Sequence, residues 1–286
     1  MYPTKEEWLM AKNKKVVLFG MSGLGKTHIS NMLRNSGEWY HYSIDYRIGT
    51  RYMGEQIEDS YKEEAMKSPY LRELLLGDSV HISSNISFNN LAPLSNYLGK
   101  PGNEEKGGLS IDEYKKRQAQ HHIAEVKALL DTPNFIDKSS RIYGYPNFVC
   151  DTGGSICEVV DPRNPNDPVL RTLAENTLIV WIQGSDHHTD ELIKRFDQNP
   201  KPMCYHPNFL DLKWKEYLKV NKCSFEEVDP DNFVRWTYSE AMDRNPIYKS
   251  MSSWGITVQA DLISGVKTPE EFNLLIGSTL SDDLKK

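Results

Sequence analysis

The sequence predicts an α/β fold: a mainly parallel five-stranded sheet flanked by helices. Two observations predict it. Short apolar runs alternate along the chain with helix-period patterns, the rhythm of strands joined by helical crossovers. The first run, Lys15-Val16-Val17-Leu18-Phe19, leads directly into Gly20-Met21-Ser22-Gly23-Leu24-Gly25-Lys26-Thr27. That octet is a complete G-x-x-x-x-G-K-[ST] phosphate loop, set between a strand and a helix.

Each element has a local cause. Ahead of the first strand, Thr4 and Glu7 form a capping-box pattern for a short helix. After the loop, Ile29, Met32 and Leu33 give one apolar helix face, and Gly37 is placed to end that helix. Strands are expected at 15–19, 39–44, 146–151, 177–182 and 255–259, with helices after the first, third and fourth. Trp39-Tyr40-His41-Tyr42 in the second strand reads as sheet packing. Ser110-Ile111-Asp112-Glu113 is a second capping box. It opens a helix to about Leu130, with one face marked by Ile111, Tyr114, Gln118, Val126 and Leu129. Asp161 to Pro168 is turn chemistry and reads as a surface loop. Thr268-Pro269-Glu270-Glu271 starts a last helix that packs through Phe272, Leu275 and Ile276.

Residues 61–108 break this rhythm. They are polar, carry scattered turn formers from Ser83 onward, and are helical near residues 70–75. The chain is therefore read as one P-loop NTPase domain over residues 1–286. Residues 61–108 are an insertion within it, a substrate lid that also offers a surface for a protein partner.

Composition excludes several classes. The formal charge is −6 with no basic stripe, so nucleic-acid binding is not expected. Apolar runs are strand-length, too short for a membrane span. The first residues are charged and lack a signal-peptide core, which points to a cytoplasmic protein. Cys150, Cys157, Cys204 and Cys223 form no CxxC pair and no zinc-site spacing, so a reduced protein without structural disulfides is expected. Cys150 reads as a small core residue. His121-His122 and His187-His188 read as surface histidines, because adjacent helical residues do not share a face.

The loop residues follow from phosphate chemistry. Glycines let backbone N–H groups crowd phosphate oxygens, and the helix that follows aims its N-terminal dipole at the same anion. Gly20, Ser22, Gly23, Leu24, Gly25, Lys26, Thr27 and His28 are the expected nucleotide-binding set, with ATP and Mg²⁺ as ligands. Lys26 reaches the β- and γ-phosphates, and the Thr27 hydroxyl is placed to ligate Mg²⁺.

Four further segments follow in order. Ser43-Ile44-Asp45-Tyr46-Arg47-Ile48 ends the second strand, and Tyr114-Lys115-Lys116-Arg117 opens the helix before the third. Phe148-Val149-Cys150-Asp151-Thr152-Gly153-Gly154-Ser155 is a strand running into glycines. The last begins with the strand 177–182 and continues through Lys201-Pro202-Met203 and Arg244-Asn245-Pro246-Ile247-Tyr248 to Gly255-Ile256-Thr257-Val258. Together, over residues 14–60, 109–203 and 240–277, they resemble the shikimate kinase family of the nucleoside-monophosphate kinase-like fold.

That resemblance implies an ATP-dependent kinase acting on a small molecule. Asp45 matches the family's acid that binds substrate hydroxyls; the other reading of it is a helix N-cap. Lys115 and Lys201 align with the family's two substrate-carboxylate arginines, and Arg117 lies near the first. The other reading of Lys115 and Arg117 is a solvated basic helix face. Gly153 and Gly154 match the glycines that approach the substrate. Ser43 stands where the family has an acid on the Mg²⁺ shell, and Asp151 is the expected replacement, giving Thr27 and Asp151 as metal residues. Arg195 is the candidate lid arginine or else a helix C-terminal cation, and Arg244 faces the nucleotide or ends a helix.

The expected reaction moves the γ-phosphate to a hydroxyl of a small, anionic metabolite, with Lys26, Asp45 and Arg195 as catalytic residues. Two alternatives stay open: a nucleoside or nucleotide kinase, and a regulatory P-loop ATPase working through a protein partner.

Overall fold

Five strands form one all-parallel sheet in the order β2-β3-β1-β4-β5: β1 Lys15–Phe19, β2 Trp39–Ser43, β3 Asn147–Asp151, β4 Leu178–Gln183 and β5 Ile256–Gln259. The computed structural model describes residues 4–241 and 245–283. Every strand falls where its apolar run predicts. The second stops at Ser43 because Ile44 already begins a short helix, Ile44–Arg47. The expected fold class, an α/β sheet flanked by helices with a phosphate loop after its first strand, is the one observed.

The chain divides into two compact units, each described separately. The first comprises Met1–Ile44, Val126–Asn199 and Arg235–Lys286. It contains the sheet. Side chains alternate across the pleat. Val16, Leu18, Trp39, Val149, Val180 and Val258 face one layer, where Ile29 and Leu33 of the helix Lys26–Asn35 and Phe272 and Ile276 of the helix Pro269–Asp283 meet them. Trp39 meets Phe272 edge-on at 6.0 Å. On the other face Tyr42 stacks on Phe135 at 4.4 Å, and its hydroxyl donates to the Ala128 carbonyl at 2.8 Å. The helices Thr132–Arg141 and Pro168–Asn176 pack on β3 and β4.

All three predicted caps form. Thr4, Ser110 and Thr268 each accept from the backbone N–H three residues on, at 3.1, 3.2 and 3.2 Å. The expected loop from 161 ends at Asp167, whose carboxylate caps Pro168–Asn176 through Val169 and Leu170.

The second unit comprises Asp45–Glu125 and Pro200–Val234. Its described elements are helical: Gly54–Lys67, Pro69–Leu76, Ala92–Leu98, Pro207–Asn221 and the greater part of the long helix Ile111–Leu130. Phe233, fully buried, takes Trp214 and Tyr217 edge-on at 5.0 and 5.3 Å. Its two chain segments are stitched by Asn103 N–H donating to the Val228 carbonyl (2.9 Å) and by Lys100 against Asp231 (2.6 Å). Residues 61–108 lie in this unit and include the helix expected near 70–75. Their irregular stretch is held by Tyr46 stacked on Phe88 and by Glu58 accepting from the Ser84 N–H. No helix among the described residues is long and apolar enough to cross a membrane.

Candidate active site

The phosphate loop adopts the backbone its glycines permit. Gly20, Gly23 and Gly25 have φ of 144°, 89° and 94°. A Cβ on Gly20 would stand 2.6 Å from the Ile182 carbonyl oxygen, and one on Gly23 would stand 2.5 Å from Leu192. At Gly20 both the dihedral and the backbone space exclude a side chain, whereas at Gly23 and Gly25 it is the dihedral that does so. Leu24 is buried beneath the loop, while Ser22, Gly23, Thr27 and His28 are exposed.

The helix Lys26–Asn35 begins at Gly25 with no side-chain cap, leaving its first N–H groups for an external anion. Lys26 is only 5% exposed, and its ammonium donates to the Gly20 and Met21 carbonyls at 2.7 and 2.9 Å. The cation is thus held against the loop backbone. His28 lines a shallow groove with Asn31, Met32, Lys267 and Pro269.

The strand order sets what stands beside the loop. Adjacent β1 and β3 send their connections toward opposite edges of the sheet, which is where α/β sheets bind ligands at their strand C-termini. Asp151, at the end of β3, pairs in register with Leu18 of β1 and Ser43 of β2. Its carboxylate is buried, 3.8 Å from His41 Nε2. Thr152 anchors the next turn by donating its N–H and hydroxyl to the Leu18 carbonyl. Gly154 then passes the loop so closely that a Cβ on it would lie 3.3 Å from the Ser22 nitrogen. Its carbonyl accepts from the Tyr248 hydroxyl at 2.6 Å. Within the first unit the structure therefore brings Ser22, Lys26, Asp151 and Gly154 to one end of the sheet. The Thr27 hydroxyl at a helix N-terminus and the Asp151 carboxylate at the end of β3 are oxygen donors of the kind Mg²⁺ takes.

Arg195 is exposed in the last turn of the helix Asp186–Gln198. Arg244 lies outside the described residues. Asp45 is half-buried at the second position of its helix, inside the first turn, so it is not the N-cap. In the second unit, Lys115 pairs with Asp211 at 2.6 Å, both about half-exposed. Arg117 donates to Glu113 at 2.8 Å and to the Tyr97 carbonyl at 2.6 Å, and lies over the Tyr97 ring. The Arg117 hydrogen bond, ahead of the opposing cost of burial, holds the Glu113 carboxyl below its ordinary pKa. Lys201 is exposed, just before a strap fixed to the long helix. Gln118 takes both sides of that strap, donating to the Met203 carbonyl at 3.0 Å and accepting from the Tyr205 N–H at 2.9 Å.

His121 is not a surface histidine; it is 4% exposed. Tyr114, Gln118, His121 and Glu125 recur at helical spacing and form a buried stripe of the long helix, so the strap covers a polar face. Burial, with a smaller push from His122, lowers the His121 pKa to about 4, and the ring is neutral. Burial also pushes the Tyr114 hydroxyl well up. An i, i+4 His–Glu pair on a predicted helix was the signal available in the sequence. His187 is exposed as expected, whereas His188 is partly covered, its Nδ1 2.8 Å from the Ser185 hydroxyl at the start of its helix. No disulfide joins any of the four cysteines among the described residues, and Cys150 is fully buried in β3.

No protein-family model matches the chain, and no curated protein matches it. Among solved structures the chain is similar to shikimate kinase from Bacteroides thetaiotaomicron. The alignment covers 95% of this chain and 97% of that one, at 12% identity and a TM-score of 0.39. The fold assignment rests on the sheet order and the loop themselves.

Proposed function

We propose that this chain is an ATP-dependent phosphotransferase that moves the γ-phosphate to a hydroxyl of a small, anionic metabolite. The observation that carries the proposal is the loop. Three glycines in positive φ, an uncapped helix start and a lysine held over the loop backbone form a cradle for a polyphosphate. Phosphoryl transfer asks a protein for alignment and charge neutralisation rather than covalent chemistry, and these groups supply that.

In this reading Lys26 neutralises the β- and γ-phosphate oxygens. Thr27 and Asp151 would hold Mg²⁺, which would supply positive charge against the charge on the transferring group. The in-register pairing of Asp151 with Ser43 supports the idea that Asp151 replaces the acid missing from β2. Asp45 orients the attacking hydroxyl, Gly153 and Gly154 offer backbone amides to the acceptor, and Lys115, Arg117 and Lys201 attract its anionic group. Arg195 closes over the site and excludes water.

The test is mass spectrometry of wild type and Lys26→Ala incubated with ATP, Mg²⁺ and pooled hydroxy acids, sugars and nucleoside monophosphates. A species gaining one phosphate with wild type alone supports a metabolite kinase and identifies its acceptor. Asp151→Asn with its Mg²⁺ dependence intact would count against the metal assignment. ADP released with no phosphorylated acceptor favours the regulatory ATPase.

A further inference from the structure

We infer that His121, Glu125 and Cys204 form a buried zinc site in the second unit, separate from the nucleotide machinery. Their candidate donor atoms all lie within 4.8 Å of one another, and His121 Nδ1 stands 3.7 Å from Glu125 Oε2. Ligand atoms around a tetrahedral Zn²⁺ stand roughly 3.3–3.7 Å apart, from bond lengths of about 2.0–2.3 Å. Small rotations of three side chains would close the set.

The chemistry favours an ion over bare packing. All three side chains are buried: His121 is 4% exposed, Glu125 0% and Cys204 6%. An imidazole, a carboxylate and a sulfur, all buried and within reach of one ion, are the donor types that zinc sites use. His121 Nδ1 makes no hydrogen bond among the described residues, and its 3.7 Å distance to Glu125 is longer than one. A divalent cation would use that nitrogen and balance the carboxylate and thiolate. Sulfur with imidazole selects a borderline-soft metal, and Zn²⁺ accepts this nitrogen, sulfur and oxygen set, with water in the fourth position.

The spacing also explains why no sequence pattern announces the site. His121 and Glu125 are one turn apart on the long helix, whereas Cys204 arrives on the strap from the second chain segment of the unit. Gln118 and Tyr114 already bind that strap through Met203 and Tyr205. The metal would add a third tie and fix the chain just after Lys201 on the helix that carries Lys115 and Arg117. Its role is structural.

The test uses the full chain. Elemental analysis of protein purified without chelators should find close to one zinc per chain. After the metal is stripped, Co²⁺ should give a near-ultraviolet thiolate-to-cobalt band, which zinc abolishes. Cys204→Ala should lose the band and Cys223→Ser should keep it. Chelator should lower the thermal midpoint of wild type and of Lys26→Ala alike, which separates this site from the phosphate loop. Because wild type alone can refute the site, a misfolded variant does not rescue it. A wild-type chain with no stoichiometric zinc and no cobalt–thiolate band overturns the inference, as does a band that survives in Cys204→Ala.

Discussion

The two units bury different things. The sheet unit closes on aliphatic and aromatic side chains contributed alternately by its strands, with Val16, Leu18, Val180 and Val258 against Ile29, Leu33 and Phe272. The helical unit buries an aromatic knot around Phe233 and a polar stripe of Tyr114, Gln118, His121 and Glu125. Apolar contact is tolerant of its partner, whereas buried polar groups demand particular partners at particular distances. The sheet unit is therefore a scaffold that local pattern can specify. The helical unit depends on which distant segment returns to satisfy its polar face.

The largest effect that would break this comparison lies in the sheet unit. Phe272→Ala removes a fully buried ring that meets Trp39 edge-on. Chemical denaturation should show a loss of about 3–5 kcal/mol; a loss below about 1 kcal/mol would mean the apolar layer does not carry the scaffold. Next comes Lys26→Ala, which withdraws the cation held at Gly20 and Met21. Phosphoryl transfer should fall by about 100-fold or more, roughly 2.7 kcal/mol in the barrier, with the circular dichroism unchanged.

Smaller effects sharpen the contrast. Tyr248→Phe deletes the hydroxyl that donates to the Gly154 carbonyl. It should cost about 1 kcal/mol and raise KM for the acceptor if that turn approaches the substrate. In the helical unit, Lys115→Ala breaks a half-exposed pair with Asp211. Stability should change by less than about 1 kcal/mol. A KM raised several-fold at unchanged stability would assign Lys115 to the acceptor, and an unchanged KM would leave it a surface ion pair.

The smallest effect is a pH dependence at Glu113. Its folded pKa is lowered from 4.5, chiefly by the Arg117 hydrogen bond. The group is therefore more acidic folded than unfolded. Its contribution is present above pH 4.5 and is lost as pH falls through the lower folded value. Partial exposure limits it to a few tenths of a kcal/mol. Arg117→Gln should flatten the stability profile of the chain in that window, and a profile steepened by the substitution would reverse the sign argued here.

Much of the scaffold was legible because its causes are local. Apolar and aromatic runs marked all five strands, three Thr or Ser caps marked helix starts, and the spaced glycines with Lys26 marked the loop. Each signal is complete within about ten residues, so the chain specifies it before it meets any other part of itself. Tertiary structure decided the rest. Strand order set Asp151 beside Ser43 and brought Gly154 against Ser22, because pairing across a sheet is made by residues about a hundred positions apart. It also turned His121, which alone reads as a surface residue, into part of a buried face, because Met203 to Tyr205 returns to cover it. Periodicity gives the direction in which a side chain points; only the folded chain supplies what it meets there.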